Sequence, residues 1–259
     1  MSYETLSLAI ENRVATITIN RPKMMNAFNE QLIWDMGDAT EKVKNDSQIR
    51  VLVITGEGRG FSAGADLTER DASWSDTKDA LLRGYYPFLK NIIEMPKPVI
   101  CAVNGVAAGA GANIAIACDV TFAKASAKFI QAFVNIGLVP DSAGTFFLPK
   151  LIGMQRAAGL MFTGDKISAE EAERIGMIYK CVPDDDFDST VDAFAKNLAE
   201  KPTKTIALIK DLLNQSNSNN WIQQLELEKK NQKIAANSND HKEGINAFFE
   251  KRKPEYKGN

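Results

Sequence analysis

The chain has 259 residues, of which 44% are hydrophobic and 25% charged, a composition typical of a globular protein with a full core. Its formal net charge of −2 excludes the strongly basic surface that binds nucleic acid or an anionic membrane. The single histidine, His241, excludes a two-histidine metal site and disfavours a Ser-His-Asp triad. Any catalysis would therefore depend on carboxylates and backbone dipoles.

The cysteines and the first residues bear on the cellular compartment. Cys101, Cys118 and Cys181 are odd in number, widely spaced and mostly in apolar runs, which favours reduced core thiols over disulfides, and no pair has metal-ligand spacing. The opening residues Met-Ser-Tyr-Glu lack the basic and apolar pattern of a secretion signal. We therefore expect a cytoplasmic protein without a metal site.

The first 56 residues predict a hairpin, a helix and a buried strand. Alternating apolar residues over 6–10 and 14–19 predict two antiparallel strands joined by a turn at Glu11-Asn12. Asn29 or a near neighbour is expected to cap a helix with one apolar face. The apolar run 51–56 predicts a buried strand.

Two loops rich in Gly and Ala, 58–67 and 104–113, each follow a predicted buried strand, and the second leads into a predicted helix. Such bare backbone lets a ligand atom lie against main-chain N–H groups, and a helix N-terminus adds the positive end of its dipole. Ligands gather where the strands of an α/β fold end. We therefore expect each loop to offer one N–H group to the same ligand oxygen.

The second loop has three other possible interpretations. A transmembrane helix over 99–120 would contain one charge but also two Asn and a Gly-Ala-Gly cluster. A dinucleotide-binding fingerprint would need a third Gly or Ala at a fixed offset after Gly109 and Gly111, and the sequence lacks it. Close helix packing by small residues, without a ligand, stays open for this stretch alone.

The remaining segments predict a pocket wall and a set of helices. The polar stretch 71–78 with Trp74, followed by the aromatic stretch 80–89, predicts either a mobile wall of a pocket or ordinary helical core. A capping box at 168–171 predicts a short helix. Three helical segments follow Thr203, the first two linked by the Ser/Asn-rich run 215–220. We expect an α/β core over 1–200 and a C-terminal helical region over 201–259.

Asp141 is the candidate catalytic carboxylate. It follows a long apolar tract and a proline, and apolar surroundings raise the pKa of a carboxyl group and make it a stronger base. The alternative is that Asp141 caps a helix beginning at Ser142 or Ala143. From these residues alone, the capping role is favoured.

An ordered set of motifs resembles the enoyl-CoA hydratase/isomerase (crotonase) superfamily from the first strand to the last helix. The set comprises Arg21-Pro22 with Asn26-Ala27, Gly60-Phe61-Ser62-Ala63-Gly64-Ala65-Asp66-Leu67, Asn104-Gly105 with Gly109-Ala110-Gly111, Cys118-Asp119, and Pro140-Asp141-Ser142-Ala143-Gly144-Thr145. The resemblance implies an α/β spiral of ββα units with a C-terminal helical trimerisation region. It also implies a homotrimer or a dimer of trimers, an acyl-CoA thioester substrate, and no cofactor apart from the CoA of the substrate.

The resemblance assigns candidate site residues by position. The backbone N–H groups of Ala65 and Ala110 would form an oxyanion hole that stabilises the enolate of the thioester. The residues that it places at the substrate and CoA are Lys23, Met24, Met25, Ala63, Asp66, Leu67, Gly109, Asn113 and Phe133. Hydratases of this family hold a water between two glutamates, and their positions here carry Asn113 and Phe133, neither of which can act as a base.

What remains is a single base, Asp141, an arrangement similar to the isomerase branch and most like the 1,2-epoxyphenylacetyl-CoA isomerases. The expected reaction is proton transfer between two carbons of an unsaturated or epoxidised acyl-CoA, in aerobic phenylacetate breakdown or in fatty-acid oxidation of 3-enoyl-CoA. A hydratase acting on 2-enoyl-CoA, or a hydrolase, stays open if another carboxylate such as Asp66 or Glu69 serves as base. A non-catalytic acyl-CoA-binding protein is the third alternative.

Overall fold

The computed structural model describes residues 3–68 and 80–259, and two β-sheets form the framework of this part of the chain. The strands are β1 Leu6–Glu11, β2 Val14–Ile19, β3 Val51–Gly56, β4 Gly60–Ser62, β5 Val99–Val103, β6 Val106–Ala108, β7 Val120–Lys124, β8 Lys128–Ile130, β9 Lys166–Ser168 and β10 Lys180–Val182. One sheet has the order β1-β2-β3-β5-β7-β10, and the other has the order β4-β6-β8-β9.

The described helices surround these sheets. The α-helices are α1 Glu30–Asn45, α2 Tyr86–Glu94, α3 Ala110–Ala117, α4 Gly144–Ile152, α5 Met154–Thr163, α6 Ala169–Arg174, α7 Phe187–Ala199, α8 Thr203–Ser216, α9 Trp221–Ala236 and α10 Asn239–Glu250. Short 3₁₀ turns span Pro22–Met24, Ala132–Ile136 and Asp184–Asp186, and a π-helical turn spans Ala80–Tyr85. Of the helices that the structure describes, none combines the length and the apolar character that a membrane span requires.

From β3 to β8 the strands alternate between the two sheets in chain order, in agreement with the predicted spiral of ββα units. β3, β5 and β7 lie side by side in the larger sheet, and the short strands that follow them, β4, β6 and β8, lie side by side in the smaller one. β4 and β6 were predicted only as loop. A three-residue strand carries too little periodicity to be recognised from sequence, and these two are defined by pairing with each other across more than 40 positions.

Both faces of the larger sheet are covered, as a parallel sheet requires. Along β3, Leu52 and Ile54 point into the main core with α1, whereas Val51 and Val53 join a second apolar cluster with Phe187 of α7. The N-cap of α1 is Asn29, as predicted, because its side chain accepts from the Leu32 N–H at 3.0 Å. The predicted boundary between residues 200 and 201 falls in the turn between α7 and α8.

Candidate active site

The two Gly/Ala-rich loops meet because they follow neighbouring strands. β4 and β6 pair in parallel, so the chain leaves both at the same edge of the smaller sheet. Gly64 and Gly109 have φ values of +92° and +53°, which a residue with a side chain rarely adopts. A Cβ added to Gly64 would lie 2.9 Å from the Ala108 carbonyl oxygen and 3.3 Å from the Ala110 nitrogen. The backbones of the two loops are therefore in direct contact.

Each loop presents a backbone N–H group that is left over from secondary structure. Phe28 bridges the first loop, donating to the Gly64 carbonyl at 2.7 Å and accepting from Asp66 N–H at 2.9 Å, which leaves the intervening Ala65 N–H unused. Ala110 is the first residue of α3, so its N–H has no intrahelical acceptor. Within residues 3–68 and 80–259, neither amide has a protein acceptor. Two free donors, one at a helix N-terminus, suit a developing negative charge.

Asp141 lies between the Ala132–Ile136 turn and α4, partly buried. Burial raises the pKa of its carboxyl group, and the hydrogen bond that the Ser142 hydroxyl donates to Oδ1 at 2.9 Å offsets only part of this effect. A carboxylate with a raised pKa holds a proton more strongly near neutral pH. It is therefore a better base than an exposed aspartate.

The capping role for Asp141 is wrong. α4 begins at Gly144, its N-cap is Ala143, and no side chain caps it. The Gly144 N–H instead donates to the backbone carbonyl of Asp141 at 2.9 Å. Ser142 and Ala143 have φ values of +50° and +60°, a left-handed conformation that costs roughly 1–3 kcal/mol for each non-glycine residue. This strained turn separates the carboxylate from the helix that follows.

Asn113 holds the backbone of Asp141 in place. Its Nδ2 donates to the Asp141 carbonyl at 2.8 Å, and its Oδ1 accepts from Gln131 Nε2 at 2.9 Å. Asn113 is 0% exposed in the single chain, and its role toward the substrate, either orienting it or supporting the residues around it, stays a prediction. A Cβ at Gly144 would lie only 2.2 Å from Asn113 Nδ2, so this contact requires glycine. Gln131 is not among the predicted site residues, and its one signal in the sequence is that it is a polar residue within an apolar run.

The predicted pocket wall includes aromatic side chains. Phe133 is buried, and a Cβ added to Gly109 would lie 3.8 Å from the edge of its ring. Tyr85 is also buried, whereas Tyr86 is mostly exposed. The stretch 80–89 therefore contains both core and surface residues, and its role as a pocket wall stays a prediction. Trp74 and the rest of 71–78 lie outside the described residues.

The segments predicted to border CoA are adjacent. The Ala63 N–H donates to the Met25 carbonyl at 2.9 Å, which joins the turn containing Lys23 and Met24 to the first loop. Lys23, Met24, Ala63 and Leu67 are all exposed. The residues form one accessible rim beside the first oxyanion-hole candidate.

Asp66 is poorly suited to act as a base. Its Oδ1 accepts from the Thr68 hydroxyl at 2.6 Å, and its Oδ2 lies 3.0 Å from Arg21 Nη1. Burial raises the pKa of Asp66, but these hydrogen bonds outweigh burial and lower the pKa overall. Glu69, the other alternative carboxylate, lies outside the described residues. Of the three candidate bases, the two that the structure describes, Asp66 and Asp141, thus have pKa values displaced in opposite directions.

Comparison with known proteins agrees with this geometry. The enoyl-CoA hydratase/isomerase family pattern matches residues 9–259. The chain is 42% identical over 253 residues to a 1,2-epoxyphenylacetyl-CoA isomerase of Escherichia coli (strain K12), covering 96% of this chain and 97% of that protein. It is also 42% identical over 258 residues to a probable enoyl-CoA hydratase of Rhodobacter capsulatus, covering all of both chains.

The fold is shared as well. The crystal structure of a putative enoyl-CoA hydratase from Streptomyces coelicolor A3(2) superposes with a TM-score of 0.93 at 34% identity, covering 100% of this chain and 96% of that one. Family pattern, sequence identity and fold therefore agree over almost the whole length. The chain belongs to the enoyl-CoA hydratase/isomerase family, the crotonase superfamily.

Proposed function

We propose that the chain is an acyl-CoA isomerase that moves a proton and a double bond, or opens an epoxide ring, with Asp141 as its single base. One observation carries this proposal: the two positions where, by resemblance, hydratases hold glutamate are occupied by Phe133 and by a buried Asn113 whose amide is hydrogen-bonded to Asp141 and Gln131. Sequence identity does not choose between reactions, since relatives named isomerase and hydratase are both 42% identical. The side chains in the site favour isomerisation.

The proposed steps use backbone donors and one carboxylate. The thioester oxygen accepts hydrogen bonds from the Ala65 and Ala110 N–H groups, and the Asp141 carboxylate takes a proton from the carbon beside the thioester. The charge that develops on the thioester oxygen is held by two preformed donors, and loss of one such donor typically costs about 3 kcal/mol. The protonated Asp141 then returns the same proton to the distal carbon of the former double bond. One carboxylate serves as base and then as acid.

The CoA portion would lie along the rim formed by Lys23, Met24, Ala63 and Leu67. These residues are exposed, and the hydrogen bond from Ala63 to Met25 keeps their segments together. Lys23 supplies a positive charge for the phosphates of CoA, which the slightly negative chain as a whole does not provide. The substrates that we propose are 3-enoyl-CoA and, by analogy with the E. coli relative, 1,2-epoxyphenylacetyl-CoA.

We also propose assembly as a homotrimer or a dimer of trimers. The C-terminal helices expose large apolar side chains in the single chain, among them Trp221 at 73%, Phe248 at 78% and Phe249 at 76%. The rings of Phe248 and Phe249 are neighbours, 5.7 Å apart, and exposed apolar patches are typical of association sites. Light scattering of the purified protein should give the mass of three or six chains, and the mass of one chain would contradict this proposal.

Two parallel assays test the reaction type. A 3-enoyl-CoA is mixed with the protein and conjugation of the double bond is followed by absorbance, while a 2-enoyl-CoA is tested for hydration. Conjugation with negligible hydration is the expected result. Efficient hydration without conjugation would instead establish the hydratase alternative, and failure of both substrates to bind or react would favour a non-catalytic family member.

A further inference from the structure

The hydroxyl group of Tyr85 is buried without a hydrogen-bond partner. The residue is 6% exposed, and its Oη has no partner among the residues that the structure describes. A buried hydroxyl without a partner has lost its hydrogen bonds to water without forming new ones in the protein, so such groups are uncommon in native proteins. This hydroxyl is therefore free to form a hydrogen bond with a ligand atom.

The ring of Tyr85 lies beside the candidate site. Its centroid is 5.7 Å from that of Phe28 and 5.7 Å from that of Phe88. Phe28 is in turn bridged through its backbone to Ala65 in the first loop. Tyr85 also ends the π-helical turn Ala80–Tyr85, a feature frequent at functional sites. Phe28 thus connects the two, since its ring packs against the phenol and its backbone pairs with one of the two oxyanion-hole candidates.

The surroundings of Tyr85 keep its phenol protonated. Burial raises its pKa, and the negative charge of Asp141 raises it further. The hydroxyl is therefore a neutral hydrogen-bond donor within electrostatic range of the proposed base. It is distinct from the two backbone donors of Ala65 and Ala110, which the thioester oxygen would occupy.

We propose that the Tyr85 hydroxyl donates a hydrogen bond to a second oxygen of the substrate, an epoxide or hydroxyl oxygen on the acyl group near the thioester. This inference rests on the proposed function, which places the acyl group between Asp141 and the two loops. A plain hydrocarbon chain leaves the hydroxyl unpaired, whereas an oxygenated one satisfies it. Sites with a buried polar group discriminate most strongly against analogues that lack its partner. Tyr85 would therefore select oxygenated acyl-CoA thioesters.

The test compares two stable ligands that need no turnover, phenylacetyl-CoA and 2-hydroxy-2-phenylacetyl-CoA, the second in each enantiomer with its hydroxyl on the carbon beside the thioester. Their Kd values are measured by calorimetry for the wild type, Tyr85→Phe and the matched control Tyr86→Phe, whose side chain is 59% exposed. For one enantiomer, the wild type and the control should bind the hydroxylated ligand about 10-fold more tightly, the effect of one buried hydrogen bond. Tyr85→Phe should bind both ligands equally. Absence of a preference in the wild type, or its survival in Tyr85→Phe, would overturn the proposal.

Thermal unfolding separates this role from a structural one. Tyr85→Phe keeps the ring and removes only the unpartnered hydroxyl, so its apo Tm should be equal to or above that of the wild type. A lower Tm would show that the hydroxyl is bonded within the protein and would overturn the proposal. Because binding is measured without turnover, a Tyr85-dependent preference in a protein that isomerises nothing would contradict only the proposed function. If the wild type bound neither ligand, both would fail.

Discussion

Replacement of Asn113 by alanine should slow catalysis, because Asn113 holds the backbone of the proposed base Asp141. The change removes the hydrogen bonds to the Asp141 carbonyl at 2.8 Å and from Gln131 at 2.9 Å. Gln131 is left without a partner at either end of its amide, since its Oε1 already has none among the described residues. Each buried group that loses its partner costs about 1–3 kcal/mol, so we expect the two groups together to cost roughly 2–6 kcal/mol of stability.

The catalytic effect comes from the position of Asp141. Without Asn113, the strained turn after Asp141 loses a side-chain hydrogen bond, and its carboxylate is free to shift. A misplacement of about 1 Å typically costs about 100-fold in rate. We therefore expect kcat for 3-enoyl-CoA isomerisation to fall by about 100-fold with a smaller change in KM, measured at a temperature well below the lowered Tm.

Asn231→Ala is the matched control. Asn231 is also a buried asparagine with two hydrogen bonds, to the Leu208 carbonyl and the Asp211 carboxylate, but it lies in the C-terminal helices. Asn231→Ala should lose comparable stability and keep kcat within about threefold of the wild type. Its hydrogen bonds are to Leu208 and Asp211, so their loss leaves the hydrogen bonds around Asp141 in place. Equal kcat losses in the two variants, or an unchanged kcat in Asn113→Ala, would refute the positioning role.

The other predictions concern the pKa of Asp141, the packing at Gly144 and the ion pair between Lys210 and Asp119. Because burial raises the pKa of Asp141 above its ordinary value of 3.8, protonation stabilises the fold, and this contribution is lost as the pH rises through the folded-state pKa. Asp141→Asn should therefore raise Tm at pH 8 but not below about pH 4, and a constant difference would contradict this. The wild-type pH–rate profile should show an acid limb with a midpoint above 3.8. Gly144→Ala should abolish soluble, active protein because its Cβ would lie 2.2 Å from Asn113 Nδ2. Gly159→Ala is the control and should be tolerated, since no atom lies within 4 Å of its added Cβ. Equal expression of the two variants would contradict the Gly144 contact. Lys210→Met should cost about 1–3 kcal/mol in denaturant unfolding, because the Asp119 carboxylate loses the ammonium group 2.7 Å away and the Ile92 carbonyl loses its donor, while Asp119 keeps the hydrogen bond from the Val99 N–H. Adding Asp119→Asn should recover part of that loss, and strict additivity would contradict the ion pair.

The elements that sequence predicts well are those with local signals. The hairpin, the helix after Asn29 and the strand 51–56 are confirmed. The hairpin turn lies one residue later than predicted, because Asn12 and Arg13 are the residues with positive φ. The Ser/Asn link is shorter, since α8 continues to Ser216. These shifts occur at element ends, where hydrogen bonding rather than residue preference sets the boundary.

The candidate site depends on contacts between distant residues, and this limited its prediction. The Gly/Ala composition of the two loops indicated an anion site, but their contact depends on the pairing of β4 with β6. Nothing local to Asp141 distinguishes a cap from a base, because the left-handed turn after it is formed by Ser142 and Ala143 rather than glycine. The sequence places Asn113 near the substrate only by resemblance, and its hydrogen bond to the Asp141 carbonyl depends on the fold, which brings Gly144 against its side chain.

The most direct measurement is the single-turnover rate of 3-enoyl-CoA isomerisation by Asp141→Asn. Asp66→Asn serves as the control, because Asp66 is the other candidate base that the structure describes. General acid–base catalysis by a positioned group contributes about 10²- to 10⁴-fold. We predict that Asp141→Asn loses a factor in this range while its Kd for acyl-CoA stays within about threefold, since asparagine keeps the shape of the side chain. Asp66→Asn should keep the isomerisation rate within about tenfold, because its carboxylate is already engaged by Thr68 and Arg21. A rate for Asp141→Asn within tenfold of the wild type would contradict the single-carboxylate mechanism.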